Sequence, residues 1–255
     1  MNVLEIVVEG VSIEQLRAYE IEEARSLQRA MIPTEPLCGE RFEFASRFRP
    51  AASVGGDFLD YFALSDGTVG FYVGDVVGKG LPAALYAALA VGTLRGIHKT
   101  GELPVQVLEL LNRRLRTRHI PRRFCSLQYG VFDPATRQLR YANAGLPLPI
   151  HISPEGCRAL GGGGNPAGMF EDPSYFAESV QLAAGDAVLF FSDGLSEAHS
   201  PDGLEFGPER LDSICRHQRH TGVEEILDAV FEALQEFVGS RRQQDDIAAA
   251  ALKVS

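Results

Sequence analysis

The chain has 255 residues, 45% apolar and 23% charged, with 34 acidic against 24 basic residues and a formal charge of −10. This is a globular composition long enough for a substantial core, and its acidic balance argues against nucleic acid and anionic membrane as main partners. The four cysteines, Cys38, Cys125, Cys157 and Cys215, form no Cys-x-x-Cys pair, so zinc-knuckle and dithiol redox sites are unsupported and free thiols in a reducing cytosol are expected.

The opening MNVLEIVVEG has no positive leader region, and its apolar run is too short for a signal peptide or a spanning helix. A soluble cytoplasmic protein is therefore expected. Residues 12–31, SIEQLRAYEIEEARSLQRAM, read as a helix capped by Ser12 and closed by Pro33 and Pro36. Ile13, Leu16, Ala24, Leu27 and Met31 could share one face, although Glu20 interrupts it. The helix either packs on the main domain or couples or dimerises the protein, and two poor heptads do not decide.

Short β runs follow. FEFASRFR (42–49) alternates, and DFLDYFAL (57–64) with TVGFYVGD (68–75) flank a Ser65-Asp66-Gly67 turn as a hairpin. The alanine- and leucine-rich stretch 81–99 predicts a helix with Pro82 in its first turn, and Pro104 opens a second. Strands are predicted at 124–132, 137–144, 149–152, 175–182 and 186–193, then helices near 208–217 and 223–238 and a last strand at 247–254. Hairpin strands with paired helices point to a layered α+β domain, not a doubly wound parallel sheet. GGGGNPAG (161–168) lacks the setting of a dinucleotide fingerprint and reads as a flexible connection.

The run GDVVGKG (74–80) invites comparison with a phosphate-binding loop. That loop needs a glycine at 73 and a hydroxyl residue after Lys79; the chain has valine and Gly80. The aspartates are more informative. Asp57 follows Gly55-Gly56, Asp75 ends an apolar run, Asp193 precedes Gly194, and Asp245-Asp246 precede the last strand. Each alone reads as a turn or cap residue. Together, at strand ends, they can converge on one rim, and such oxygen donors suit magnesium or manganese.

VGGDFLDYF, GDVVGKGLPAAL, FSDGLSEA and QQDDIA, in this order, resemble the metal-dependent PPM protein phosphatases, in particular the bacterial SpoIIE-like and RsbU-like serine/threonine phosphatases. EEARSLQRAMIP resembles the helix that precedes their catalytic domain. The resemblance spans about residues 20–254. It implies an α-β-β-α four-layer sandwich with two central antiparallel sheets over residues 37–255, after an N-terminal segment and coupling or dimer helix at 1–36. It also implies two Mn2+ or Mg2+ ions, with Asp75 bridging, Asp57, Asp193 and Asp245 giving carboxylates and Val76 its carbonyl, while Asp246 supports from outside. Asp60, an odd step from Asp57, is expected on the opposite strand face.

The implied reaction is two-metal hydrolysis of phosphoserine or phosphothreonine by an activated water. The implied substrate is an anti-sigma-factor antagonist or similar regulator, with an upstream regulator acting through the N-terminal helix and a homodimer as further partners. The helices after Gly80 are expected to be regulatory. None of the six histidines lies in a motif, and Leu146-Pro147 follow YANAG where polar residues are usual in relatives. A binding module without turnover and hydrolysis of a small phosphate ester are therefore the competing readings. Lys79 reads either as a contact for the substrate phosphate or, preferred here, as a solvated residue between two glycines; Arg47 and Arg49 either steer a phosphate or, preferred, are exposed residues of an alternating strand; Glu197 either orients a metal-held water or is a surface acid.

Overall fold

The computed structural model describes residues 12–97, 103–117 and 120–255. The readings made for residues 1–11, for 98–99 and for Arg118 fall outside them.

Helix α1 (Ile13–Met31) is closed at its start by a capping box, in which Gln15 N–H donates to the Ser12 hydroxyl and Ser12 N–H to the Gln15 carboxamide. The predicted apolar face of this helix holds in part: Leu16, Ala24 and Met31 are half-buried. Ile13 is 63% exposed and Leu27 68%, and Gln28 is its one buried residue.

Eleven strands follow among the described residues: β1 (Leu37–Gly39), β2 (Phe42–Arg49), β3 (Phe58–Ala63), β4 (Val69–Val76), β5 (Cys125–Asp133), β6 (Gln138–Ala144), β7 (Ile150–Ser153), β8 (Gly156–Ala159), β9 (Ala177–Gln181), β10 (Ala187–Phe191) and β11 (Ile247–Val254). They form two sheets, ordered β1-β2-β11-β10-β7-β8 and β3-β4-β5-β6-β9. Every pairing is antiparallel. Helices α2 (Leu81–Ile97) and α3 (Pro104–Thr117) are joined in sequence by α4 (Asp193–Ser196), α5 (Gly207–His217) and α6 (Val223–Val238).

Side chains alternate along a strand, so each sheet has two apolar faces to bury. The inner faces meet in one core that includes Phe44, Phe71, Tyr141, Phe190 and Leu252. The outer face of the five-stranded sheet presents Phe58 and Tyr72 to Ala87, Ala90 and Leu94 of α2 and to Leu108 of α3. The outer face of the six-stranded sheet packs Leu189, Phe191 and Ala249 against Leu211 of α5 and Ile226 and Val230 of α6. The result is the expected α-β-β-α sandwich.

Two details bear on the site. β11, the last strand, lies between β2 and β10, so the chain's final aspartates are carried to the strand that ends at Phe191. The 161–168 run is not a free connection, which corrects the reading above: Cys125 and Ala167 exchange both backbone hydrogen bonds, at 3.0 and 2.8 Å.

Candidate metal centre

The period of two decides which acids meet. Leu59 and Tyr61 face the inter-sheet core, so Asp57, at the same parity, points into the space between the sheets. Val73 does the same on β4, and so does Asp75 after it. Asp60 falls on the other face, where it accepts from the Arg95 guanidinium at 2.8 Å and from the Tyr72 hydroxyl at 3.1 Å. The predicted separation of Asp57 from Asp60 holds. Phe190 and Ala248 are inward-facing on β10 and β11, so Ser192 and Asp246 point inward as well.

Asp57 is 1% exposed, and the Ser192 hydroxyl donates to it at 2.6 Å. Ser192 is held by β11, since its hydroxyl accepts from Ala248 N–H at 3.0 Å. Burial, and next the charge of Asp75, hold the Asp57 carboxyl well above its ordinary range. Burial also pushes Asp75 up to about 7, with Asp193, Asp245 and Asp246 adding to the rise and a hydrogen bond with Asp57 opposing it. Two adjacent carboxyls resist being ionised together unless a proton or cation stands between them. Burial and then the Asp245 charge raise Asp193. Asp57, Asp75, Asp193 and Asp245 thus share one rim.

Asp246 has a different task. Its carboxylate accepts from Ala51 N–H at 2.7 Å and Gly56 N–H at 2.6 Å, fixing the loop that leads into Asp57. The Val76 carbonyl faces Gly56, where a Cβ would stand only 2.8 Å from it. Gly194 lies against the backbone of Asp246, and a Cβ there would meet that carbonyl oxygen at 2.0 Å. Gly194→Ala is expected to force the turn after Asp193 away from β11. A loss of about 1–3 kcal/mol in stability, typical of overpacking, and loss of the Mn2+-induced rise in Tm should both appear in thermal melts with and without the ion.

Lys79 is half-exposed between its two glycines, as the preferred reading has it, and is also paired. With positive φ at Gly78 (98°) and Gly80 (67°), the loop turns the Lys79 ammonium onto the Asp245 carboxylate at 2.9 Å and onto the Gln244 carbonyl. Arg123 braces the same loop by donating to the Val77 carbonyl at 2.5 Å. Arg47 pairs with Asp228 at 2.7 Å and Arg49 donates to Gln235 at 2.8 Å, so both tie β2 to α6. A cavity of about 130 Å3 next to the rim is lined by Lys79, Gly194, Glu197, His199, Arg241 and Asp245. Burial and then the Asp193 charge raise the Glu197 carboxyl. A larger cleft of about 620 Å3, around His151, Arg158 and Asp186, lies toward the other end of β10 from Asp193.

Among the described residues, no set of three His, Cys, Asp or Glu side chains stands at closed metal-binding spacing. The donor chemistry still fits a hard divalent cation: the rim offers carboxylate and carbonyl oxygens only, and buried like charges that a cation would reconcile. Sequence reasoning found all the rim aspartates. It missed Ser192 and Gln28; the inward parity of Ser192, two residues after Phe190, was the available signal for the first.

The family model described as Stage II sporulation protein E (SpoIIE) matches residues 65–255. The chain is 27% identical to Protein IcfG of Synechocystis sp. over 91% of its own length and 41% of the relative. It is 26% identical to phosphoserine phosphatase RsbU of Bacillus subtilis over 87% of its length and 66% of that protein. The chain therefore spans less than two thirds of either relative. The solved SiaA-PP2C domain of Pseudomonas aeruginosa superposes with a TM-score of 0.84 at 25% identity, covering 97% of this chain and 100% of that domain.

Proposed function

The chain belongs to the SpoIIE family of PPM-type phosphatases, and from that premise we propose that it is a cytoplasmic serine/threonine phosphoprotein phosphatase dependent on two manganese or magnesium ions. The observation that carries this reading is the convergence of Asp57, Asp75, Asp193 and Asp245 from four separate segments onto one partly buried rim. The 37–255 unit is the phosphatase domain in this reading, and 1–36 the segment through which an upstream regulator or a second copy acts.

Asp57, Asp75, Asp193, Asp245 and the Val76 carbonyl would hold the ions, which when bound supply charge neutralisation and a water readied for in-line attack on phosphorus. The chain's own residues do the rest. Ser192 fixes the orientation of Asp57, and Asp246 fixes the Gly55–Gly56 loop beneath it. A cation held there would offset the mutual repulsion of the Asp57 and Asp75 carboxylates. Lys79, paired with Asp245, lines the adjoining cavity, where its ammonium would meet phosphate oxygens. The substrate class inferred is a phosphorylated regulatory protein of the anti-sigma-factor-antagonist kind. The exposed line of Leu81, Leu85 and Leu89 on α2, 42%, 66% and 47% exposed, suits a regulatory helix next to the metal loop.

The test is phosphate release from a phosphoserine peptide, p-nitrophenyl phosphate and a sugar phosphate, titrated with Mn2+. Release that needs Mn2+ and favours the peptide is expected. Release from the sugar phosphate alone would replace this reading with small-ester hydrolysis. No release at all would leave a phosphatase-like binding module.

A further inference from the structure

Helix α1 spans 19 residues, and the only side chain it buries is polar: Gln28, 5% exposed. Its apolar residues Ile13, Tyr19 and Leu27 stay outside at 63%, 63% and 68% exposure. Leu16, Ile21, Ala24 and Met31 are half-buried, so apolar packing docks the helix only in part, and specific hydrogen bonds add to it. The Gln28 carboxamide donates to the Gly55 carbonyl at 2.7 Å and accepts from the Gly55 N–H at 3.0 Å. Both polar groups of one buried residue are thus satisfied by one side chain. Arg25 adds a bond from its Nε to the Ser53 carbonyl at 3.1 Å.

Gly55 is the hinge of the arrangement. A Cβ on it would lie 2.5 Å from the Asp246 carboxylate, the next residue, Gly56, donates to that carboxylate at 2.6 Å, and the one after is Asp57. A connected path runs from α1 through Gln28 to Gly55 and on to Asp246 and Asp57. Each bond is individually modest, but leaving the buried Gly55 groups unpaired is not.

We propose that Gln28 is a positioning residue for the metal centre: its two-bond hold on Gly55 sets how tightly the rim takes divalent cations, so that seating or lifting α1 tunes metal affinity. This rests on the reading of the rim as a cation site. The contact of α1 with the loop before Asp57 is polar and confined to Gln28 and Arg25, which fixes one register of the helix against that loop.

The test compares wild type, Gln28→Met and Leu27→Ala. Gln28→Met keeps length and helix propensity but cannot bond Gly55; Leu27→Ala alters the exposed neighbour. Mn2+ affinity is read by calorimetry, and amide exchange of the 54–58 segment is read on metal-free protein. Gln28→Met is expected to weaken Mn2+ binding by about 10–100-fold, the range for groups that orient metal ligands, to speed exchange of 54–58, and to recover kcat at saturating Mn2+. Leu27→Ala should match wild type in all three. If Gln28→Met folds poorly, Gln28→Glu, which keeps the acceptor and loses the donor, is expected to show the same losses to a smaller degree. Wild-type Mn2+ affinity with wild-type exchange in a folded Gln28 variant would overturn the assignment. Absence of Mn2+ binding in wild type would instead overturn the reading beneath it.

Discussion

Asp75→Asn should abolish the enzyme and, in chelator, make the protein more stable. Asp75 is the acid that shares a hydrogen bond with Asp57 and feels Asp193, Asp245 and Asp246. If Asp75 holds the ions as proposed, its loss should lower Mn2+-dependent phosphate release by more than about 100-fold, beyond the range seen for groups that merely orient metal ligands. The stability effect has the opposite sign. A carboxyl raised from 3.8 to about 7 binds its proton more tightly in the folded than in the unfolded state. Metal-free wild type should therefore lose stability as pH rises from about 4 to about 7, by at most roughly 1.4 kcal/mol per pH unit for this group. Above that window the full penalty is present. Asp75→Asn removes the charge and should flatten this slope, gaining on the order of 1–4 kcal/mol at pH 8 in EDTA. Melts from pH 4 to 8, with EDTA and with Mn2+, read both effects. A mutant less stable than wild type at pH 8 without metal would contradict the electrostatic account of the rim.

Phe190→Ala should be the most damaging change to the fold. Phe190 is fully buried between the sheets, with its ring centroid 4.5 Å from that of Phe71, 6.5 Å from Phe44 and 6.4 Å from Tyr141. These partners come from both sheets, so the cavity cannot close by moving one element. A loss of about 3–5 kcal/mol is expected, which for a domain of this size means a Tm lower by roughly 6–20 °C. The Phe190 ring belongs to the core and Ser192, two residues on, to the rim. Below the lowered Tm the variant should still release phosphate with Mn2+, and a folded but inactive Phe190→Ala would show that the core and the rim are not separable in this way.

Much of the frame was legible because alternation and turn chemistry are local. The run 42–49 and the run 247–254 coincide with β2 and β11, and the Ser65-Asp66-Gly67 turn joins β3 to β4 with Gly67 at φ 85°. The odd spacing of Asp57 and Asp60 placed them on opposite faces because a strand permits nothing else. β1, β8 and α4 escaped notice, being three or four residues long, too short for a periodicity to register. The order of strands was also hidden, since β11 inserts between β2 and β10 through contacts far apart in the chain. Non-local contacts explain what was missed at the site too. That Lys79, though exposed, also pairs with Asp245 was hidden because the two are remote in sequence. Gln28 looked like one polar residue on a helix surface because nothing local shows that it meets Gly55.

In the proposed metal centre, acids from four segments hold a pair of divalent ions between the sheets. Crystals soaked in Mn2+ and measured for anomalous scattering address it most directly. The account predicts two difference peaks roughly 3.5–4 Å apart, bounded by Asp57, Asp75, Asp193 and Asp245, with the Lys79 ammonium displaced from Asp245. No peak at this rim, or peaks held by other residues while Lys79 stays on Asp245, would contradict it.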